Sequence, residues 1–553
     1  MIHIKYTSVY CMFRDLWLSY GKNYYVNDKP LQFFLDALKF QRDEDLSSLG
    51  AYVSTKMMEE AYYVDHYARP VLRRWSALGQ EINYVQASPS HIQTLYDLLK
   101  FGVVSKTLTG ERDLIYHFVS GYLISDAGFF CTITLTEQTA YGLAKYGDDE
   151  AKALYLPNFL KRDRPWMGAT FYTEVQAGSD LGGLETAAER VTERLWRLRG
   201  VKYFTSNVGL ADAAIITAKP TPPRPGAKGI AAFFAPAHRA GGRPNWRILR
   251  LKDKLGTITV PTGEVELVDT EAYLLGAAET GIYIALEILI IARIDNSTAG
   301  LGLARKTLWE AYLYGNERKT FGRRLVEHPL YLRDLVEMEA RLQAVLLLTL
   351  AAAKSFSDVA PGERPPYGQA YHYARLLTHI VKNMAAWVSI DVTRYSMELM
   401  GGIGFLEEYP MAKLHRDALV TAIWEGTSNI QALDMAEAFY RKEAGKTLFE
   451  ELASRISRIR DDEVRRKLVA ALEEAREGAA AALRDGVELH AKRLLTQMGT
   501  LAAAALYREW AESTQEEWAD AMSKIYVNVE LLKRDVESAL VKKASYGLLW
   551  MSD

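Results

Sequence analysis

The hydrophobic pattern of this chain changes its period near Met167, and that change limits the possible folds more than any other feature. Before it, apolar residues recur with helical spacing in segments 31–38, 92–101 and 114–123. After it, short apolar runs rich in β-branched and aromatic residues occur at 213–218, 230–235, 246–251 and 263–268. Clusters of Gly and Pro separate these runs, and helical spacing returns after Gly276. About 100 residues of β structure therefore interrupt a helical chain.

The order of these patterns predicts an α+β, multi-domain fold. The predicted domains are an N-terminal helical domain at 1–165, a central antiparallel, barrel-like β-domain at 166–276, a helical bundle at 277–444 and extra C-terminal helices at 445–553. Within the bundle, apolar residues keep a period of about 3.6 residues from Leu332 to Leu350. The Pro- and Gly-rich segment 357–368 predicts a connection, after which helix resumes through Met400.

Composition restricts the kinds of partner and compartment. The 553 residues carry a formal net charge of −2, which predicts no general attraction to nucleic acid or anionic lipid. The two cysteines, Cys11 and Cys131, lack a metal-ligand spacing and are too few for a disulfide framework, so a reducing, cytoplasmic location is expected. The start of the chain has no signal-peptide pattern, and the most apolar runs, 285–292 and 344–353, are too short to span a bilayer.

Two short segments contain residue types suited to acid–base chemistry and ligand binding. Trp424-Glu425-Gly426-Thr427 places a carboxylate between apolar and small polar residues, and burial would raise its pKa toward that of a useful base. The segment 170–180, TFYTEVQAGSD, clusters hydroxyls and small residues where a strand meets a loop. Such a loop can bind a polar heteroaromatic ligand or a phosphate, or it can be a turn capped by Ser179 and Asp180.

Together with further motifs in order, these segments resemble the acyl-CoA dehydrogenase family of flavoproteins. The segment 170–180 is similar to the TEPGAGSD element of that family. The other matching motifs are GVKYFTSN at 200–207, LKDKLG at 251–256, ERKTFG at 317–322, GGIGF at 401–405, EYP at 408–410 and RD at 416–417. The resemblance covers about 165–440, roughly half of the chain. A Rossmann site is excluded at Gly402-Ile403-Gly404, because the third glycine is replaced by Glu407 and a helix rather than a strand precedes.

The resemblance implies an FAD site between the β-domain and the helices after it, shared by two subunits of a homotetramer. The implied cofactor residues are Phe171, Thr173, Ser179, Phe204, Ser206, Arg318, Thr320, Phe321, His328, Glu398, Gly402, Thr427 and Asn429. The implied substrate residues are Ser179, Arg293, Trp424 and Gly426. An arginine such as Arg318 suits a pyrophosphate because its planar fork donates parallel hydrogen bonds, although it could instead offset a helix dipole.

The reaction that the resemblance implies is α,β-dehydrogenation of an acyl-CoA thioester to the trans-2-enoyl-CoA. Glu425 would remove the α-proton while a β-hydride passes to flavin N5. Two donors in a dry cleft, the ribityl 2′-hydroxyl and the backbone N–H of the base, would stabilise the enolate-like charge. Electron-transfer flavoprotein is the acceptor expected for the family, and fatty acid metabolism is the expected setting.

Several positions depart from the common pattern of the family. Some members of the family place an alternative catalytic base directly before this arginine. Here Ala292 occupies that position before Arg293, so the sequence shows no candidate base besides Glu425. Ile290 replaces an Asp that is often present, which weakens an expected contact to CoA, and Glu398 stands where Gln is common. Trp424 replaces a common Tyr and could either narrow the acyl pocket or pack in the core.

These departures and the long termini are most similar to the AidB-type, alkylation-response branch of the family. Segment 72–99 resembles the N-terminal extension of that branch. Proteins of the AidB type have been linked to DNA binding through a basic C-terminal region. Here residues 446–553 contain 17 basic and 19 acidic side chains, and DNA binding needs clustered cations. The charge balance therefore favours a solvated bundle that packs on other subunits or covers the cleft, and makes nucleic acid an unexpected partner.

Three functions remain open at the level of sequence. The first is an FAD-dependent acyl-CoA dehydrogenase with Glu425 as base. The second is an AidB-like flavoprotein with weak dehydrogenase activity and a protective or DNA-associated role. The third is a flavin oxidase of the same fold, for which a nitroalkane substrate is disfavoured because that chemistry uses Asp at the position of Glu425.

Overall fold

A computed structural model describes residues 17–552, which divide into two compact units. One unit comprises Glu60–His117 and Asp126–Ala292, and it contains the β structure. The other comprises the described residues up to Glu59, together with Phe118–Ser125 and the residues from Arg293 onward, and it is helical. Cys11 and the apolar start of the chain lie outside the described residues, whereas Cys131 is buried.

The helices of the N-terminal half are α1 Lys29–Ala37, α2 Glu44–Val53, α3 Lys56–Tyr67, α4 Pro89–Lys100, α5 Ser105–Leu108, α6 Leu114–Ile124, α7 Ala127–Tyr146 and α8 Asp149–Phe159. Aspartates begin four of them, because their carboxylates accept the backbone N–H groups that the first turn leaves unpaired. Asp28 accepts from Leu31 N at 3.0 Å, and Asp126 and Asp148 begin α7 and α8 in the same way.

The strands of the β-containing unit are β1 Val71–Trp75, β2 Glu81–Gln86, β3 Gly168–Phe171, β4 Ala187–Arg190, β5 Leu195–Ser206, β6 Ala213–Pro220, β7 Ala231–Pro236, β8 Arg247–Leu251 and β9 Thr262–Leu274. The order of the main sheet is β3-β6-β4-β5-β9-β7, with β8 also paired to β9. Because β7 pairs with β6 as well, the strands β6, β4, β5, β9 and β7 close into a ring. The predicted barrel is therefore present.

Two strand pairs differ from the antiparallel prediction. β3 and β4 both run parallel to β6, whereas the other pairs in this sheet are antiparallel. The barrel core is apolar and aromatic, with Phe171 against Trp246 and Trp196 against Phe233, at ring centroid distances of 5.3 and 5.4 Å. Burial of these rings, each worth a few kcal/mol, stabilises the closed sheet.

The helices of the second half are α9 Gly281–Glu317, α10 Pro329–Val359, α11 Gln369–Met400, α12 Pro410–Leu419, α13 Ser428–Ala436, α14 Ala444–Arg458, α15 Asp462–Asp485, α16 Val487–Thr514, α17 Glu517–Tyr526 and α18 Ser538–Ser545. A two-stranded hairpin, β10 Lys319–Thr320 and β11 Arg323–Arg324, lies between α9 and α10. No helix within residues 17–552 is long and apolar enough to cross a membrane.

The C-terminal helices pack on the bundle of their own chain. Tyr507 in α16 donates to Gln343 Oε1 in α10 at 2.7 Å, and both groups are buried. Trp309 Nε1 donates to the carbonyl of Met551 at 2.7 Å. Phe34 of α1 meets Trp510 edge to face at a centroid distance of 4.7 Å. The segment after residue 445 is thus part of the hydrophobic core of the helical unit.

Sequence patterns predicted many of these elements but not all of them. The predicted strand runs at 213–218, 230–235, 246–251 and 263–268 coincide with β6, β7, β8 and β9. The segment 30–160, by contrast, is not all helical, because β1 and β2 form an antiparallel hairpin. Its outward positions include exposed Trp75 and Tyr84, so no clean alternation of polar and apolar residues marks these strands.

Candidate functional site

Glu425 lies in a tight turn of the helical unit, just before α13. Its φ is +56° and that of Gly426 is +99°, so two consecutive residues adopt left-handed backbone conformations. Only glycine adopts such a conformation without steric cost, and a Cβ at Gly426 would also lie 2.8 Å from Gln431 Nε2. A non-glycine residue held at positive φ indicates strong local constraint.

Three buried side chains supply that constraint by binding the two carbonyl groups of the turn. Arg293 Nε donates to the Glu425 carbonyl at 3.0 Å, and Lys382 Nζ donates to the Gly426 carbonyl at 2.6 Å. The amide of Gln431 bridges them, donating to Glu425 O at 2.9 Å and to Gly426 O at 3.1 Å. Hydrogen bonds from charged donors are stronger than neutral ones, so the turn is rigid before any ligand binds.

A second layer orients these three donors. Asp434 in α13 holds Arg293 Nη1 at 3.1 Å, and the Nδ1 atom of His379 lies 2.9 Å from Gln431 Oε1. Burial lowers the pKa of His379 to about 3, with nearby Arg293 adding to the effect, so the ring is neutral and Nδ1 donates. Burial opposes ionisation of Asp434, but the charges of Arg293 and Arg375 hold its pKa below the ordinary value.

The carboxyl group of Glu425 has a raised pKa. Burial is the main cause, and Asp295 adds to it, whereas Arg293 and Lys382 act in the opposite direction. The pKa of Lys382 moves in the opposite direction, because burial lowers it to about 7. The negative charge of Glu425 acts against this shift and favours the charged lysine. A carboxylate whose pKa is moved toward neutrality is a better proton acceptor. The residue as a whole is half-buried.

Trp424, the residue before Glu425, is fixed by its own partner. Its indole Nε1 donates to Asn296 Oδ1, and the amide of Asn296 donates in turn to the Thr421 carbonyl at 3.2 Å. The orientation of this large ring is therefore determined by α9, the helix that also carries Arg293. A tryptophan anchored by its N–H behaves as a rigid wall.

In the β unit, the strand β3 and the loop after it carry the first set of predicted cofactor residues. Phe171, which the resemblance assigns to the flavin site, is fully buried in the barrel core. Side chains alternate between the faces of a strand, so Thr170, which is partly exposed, is the neighbour that faces away from that core. Thr173 is also partly exposed, at the start of the loop.

Glu174 anchors the loop that contains Ser179. Its carboxylate accepts from Lys202 Nζ at 2.8 Å and from the backbone of Glu185 at 2.7 Å, both inside the unit. Ser179 itself is exposed, and Asp180 accepts from Gly182 N at 2.8 Å, as in a capped turn. The loop is thus held at its base, and its tip is open to solvent.

On β5 the two predicted cofactor residues, Phe204 and Ser206, have side chains that are at least partly exposed. Phe204 is 52% exposed, and its ring packs edge to face on Tyr203 at 4.9 Å. Ser206 lies 3.0 Å from the Thr262 hydroxyl, while the intervening Thr205 is buried. Alternation therefore places Phe204 and Ser206 together on the outer face of the barrel.

The predicted residues at 318–328 form an exposed hairpin in the helical unit. Phe321 is 98% exposed at its tip, with φ +49°, and Arg318 is also exposed. Nε2 of His328 lies 3.1 Å from the carbonyl of Thr320, which ties the ends of the hairpin together. An aromatic ring so exposed is characteristic of a surface that binds a ligand or another chain.

The remaining predicted cofactor residues lie at helix ends of the same unit. Glu398 carries a negative charge at a position where Gln is common in the family. Its carboxylate pairs with Arg394 at 2.7 Å, and this cation compensates the charge. Gly402 is exposed, and a Cβ there would meet no atom within 4 Å. Thr427 begins α13 without a side-chain capping bond, and Asn429 is exposed in its first turn.

Comparison with known proteins identifies the family. Residues 169–270 match the model of the acyl-CoA dehydrogenase middle domain, and residues 279–440 match that of the acyl-CoA dehydrogenase C-terminal domain. Acyl-CoA dehydrogenase family member 11 of Caenorhabditis elegans is 30% identical over 443 residues, which are 75% of this chain and 70% of that protein. The chain belongs to the acyl-CoA dehydrogenase family.

Members of this family are oxidoreductases that bind FAD. AidB of Escherichia coli (strain K12) is 28% identical over 424 residues, 72% of this chain and 74% of that protein. The crystal structure of Caenorhabditis elegans ACDH-11 in complex with C11-CoA has the same fold, with a TM-score of 0.82 and 23% identity over 94% of this chain and 93% of that chain. The similarity thus extends beyond the two family domains, into the segments that lengthen this chain.

Within the helical unit the acyl-CoA dehydrogenase fold brings Arg293, Trp424, Glu425 and Gly426 into one cluster. Sequence reasoning missed Lys382, Gln431, His379 and Asp434, which hold that cluster. The available signal was the presence of His379 and Lys382, three residues apart, among the apolar residues of α11. Charged and polar residues on the buried face of a helix need partners, and here the partners lie in the turn.

Proposed function

We propose that this chain is an FAD-dependent acyl-CoA dehydrogenase that converts an acyl-CoA thioester to the trans-2-enoyl-CoA, with Glu425 as the base. The observation that carries the proposal is a carboxyl group with a raised pKa on a turn whose two carbonyls are bound by buried donors. Proton transfer requires a base that is held in position and whose pKa is raised toward neutrality, and the fixed turn and the raised pKa of Glu425 support that role.

The residues of the chain suit FAD in each unit taken separately. In the helical unit, Arg318 is an exposed cation suited to a pyrophosphate, and Gly402 leaves the backbone accessible. In the β unit, Thr170, Thr173, Phe204 and Ser206 present hydroxyls and an aromatic ring of the kind that binds a flavin ring. Bound FAD would accept the β-hydride, which is the redox chemistry that no side chain can perform.

In this mechanism the side chains of the protein accept the proton, influence its removal and position the acyl chain. Glu425 takes the α-proton on its carboxylate, and the nearby charges of Arg293 and Lys382 favour the ionised form of that carboxylate. Trp424, held by Asn296, restricts where the acyl chain can lie beside the base. We further propose electron-transfer flavoprotein as the acceptor and a homotetramer as the assembly, as the family resemblance implies.

The test is anaerobic mixing of the FAD-loaded protein with short-, medium- and long-chain acyl-CoAs, including the C11-CoA present in the ACDH-11 structure. Reduction bleaches the flavin band at about 450 nm. Bleaching by one chain-length class is expected, and Glu425→Gln should slow it by about 10²- to 10⁴-fold. Glu437→Gln, which alters a carboxylate paired with Arg375 at 2.6 Å, is the matched control. Bleaching that persists in Glu425→Gln would contradict the assigned base.

An AidB-like protective role with weak dehydrogenation is a second candidate, favoured by the 28% identity to AidB. DNA binding is not supported by the charges after residue 445, because many of the arginines there face carboxylates. Arg455 and Arg458 both bind Glu509, and Arg460 faces Glu512. Salt-sensitive retention of duplex DNA, combined with no bleaching by any thioester, would support this candidate over the first.

A further inference from the structure

Lys382 is a buried lysine whose ammonium group binds a backbone carbonyl. It lies in α11 and is 1% exposed, and its Nζ atom is 2.6 Å from the carbonyl oxygen of Gly426. Lysine is rarely buried, because removing an ammonium group from water is costly unless it is paired. A neutral side chain could fill the same volume without that cost, so the presence of a cation at this point requires an explanation.

We propose that Lys382 is a positioning residue for the dehydrogenation proposed above, which holds the turn of the Glu425 carboxyl in place through the Gly426 carbonyl. The inference rests on the proposed function, because it concerns how the base is placed and charged. It assigns to Lys382 no contact with substrate or cofactor.

The geometry of the two carbonyls supports a positioning role. Gln431 Nε2 reaches both Glu425 O and Gly426 O, so the two oxygens lie on the same side of the turn. Arg293 binds the first oxygen and Lys382 the second. In a trans peptide the N–H points opposite to the C=O, so the N–H groups of Gly426 and Thr427 face the other side. Loss of Lys382 would release the second peptide plane, and with it the φ of +99° at Gly426.

The charge of Lys382 has a second effect, on the proton of the base. The charged groups that influence Glu425 are Arg293 and Lys382, which favour ionisation, and Asp295, which opposes it. Glu425 and Arg293 are the charged groups that influence Lys382. A neutral residue at position 382 leaves Arg293 as the one cation in this set, so the pKa of Glu425 should rise. Because a base must be deprotonated to act, the acid side of the pH–rate profile would then move to higher pH.

Three variants separate the hydrogen bond from the charge. Lys382→Met removes both, Lys382→Gln keeps a donor without charge, and Lys382→Arg keeps both. Lys306→Met is the matched control, because Lys306 is also buried and donates to a backbone carbonyl, that of Ile124 at 2.9 Å. Two measurements are made on each protein: the rate of flavin bleaching by the best acyl-CoA as a function of pH, and the hydrogen exchange of peptides covering residues 423–430.

We expect Lys382→Met to bleach about 10- to 100-fold more slowly, with its acid midpoint moved upward and faster exchange at 423–430. Lys382→Gln should recover part of the rate but keep the raised midpoint, and Lys382→Arg should restore the midpoint. Lys306→Met should change neither measurement. An unchanged midpoint together with unchanged exchange in Lys382→Met would overturn the inference. If the wild-type protein is bleached by no thioester, the proposed function fails, and exchange at 423–430 still decides whether Lys382 holds the turn.

Discussion

The turn at Glu425 and the hairpin at 318–328 belong to the same compact unit, yet they hold their candidate residues in opposite ways. The carbonyls of the turn are bound by Arg293, Lys382 and Gln431, all from within the chain. The hairpin instead exposes the Arg318 side chain and almost the whole ring of Phe321. The first region is held by side chains of the same chain, and the second leaves its side chains exposed to solvent.

This difference indicates which part of the chemistry the chain prepares in advance. A base must be placed before substrate arrives, because small errors in its position cost large factors in rate. A residue that binds a pyrophosphate or a neighbouring subunit gains its partner later, so it can remain exposed until then. The comparison predicts that substitutions in the turn affect rate and stability, whereas those in the hairpin affect binding and assembly.

The largest effect is expected from Arg293→Met. This change leaves Asp434 without its cation at 3.1 Å and removes a donor from the Glu425 carbonyl. Breaking a buried ion pair costs about 3 kcal/mol of unfolding free energy, and the flavin bleaching rate should fall about 100-fold. Urea unfolding and stopped-flow absorbance measure the two quantities. Arg333→Met, which removes a half-exposed pair with Glu337, should cost less than about 1 kcal/mol; equal losses would sink the comparison.

An intermediate effect is expected from Arg318→Met in the hairpin. Loss of hydrogen bonds from a cation to a phosphate costs about 1.5–3 kcal/mol, so the dissociation constant for FAD should rise about 10- to 100-fold. Stability without FAD should not change, because Arg318 is exposed. Titration of the apoprotein with FAD gives the constant. Arg324→Met is the control, since that guanidinium is already bound by Glu327 at 3.0 Å; a matching loss there would show that the effect is not specific.

The smallest effect on the folding of one chain is expected from Phe321→Ala. Because the ring is 98% exposed, the unfolding free energy should change by less than about 0.5 kcal/mol. Phe34→Ala, in contrast, empties a fully buried site and should cost about 3–5 kcal/mol. Sedimentation of Phe321→Ala should show weaker self-association if the tip meets a second subunit. A tip variant that unfolds as readily as Phe34→Ala would mean that the hairpin is buried in the folded chain.

Local patterns were sufficient to predict much of the architecture. The strands β6 to β9 and the helices α10 and α11 follow from hydrophobic period and from Gly and Pro clusters. The hairpin at 71–86 could not be read in this way, because both of its strands carry exposed apolar residues. The burial of Phe171 could not be read in this way either, because the motif gives the segment but not the phase of the strand, and one residue of shift exchanges core and surface.

The sequence by itself determined the order of helical and β segments, the motifs of the family and the position of the carboxylate at Glu425. Only the tertiary structure decided which groups hold that carboxylate. Arg293, Lys382 and Gln431 lie on α9, α11 and α13, and the residue closest to Glu425 in sequence among them is six positions away. The physical reason is that such partners are chosen by distance and burial in three dimensions. Helical periodicity shows that Lys382 is buried, but not which carbonyl it meets.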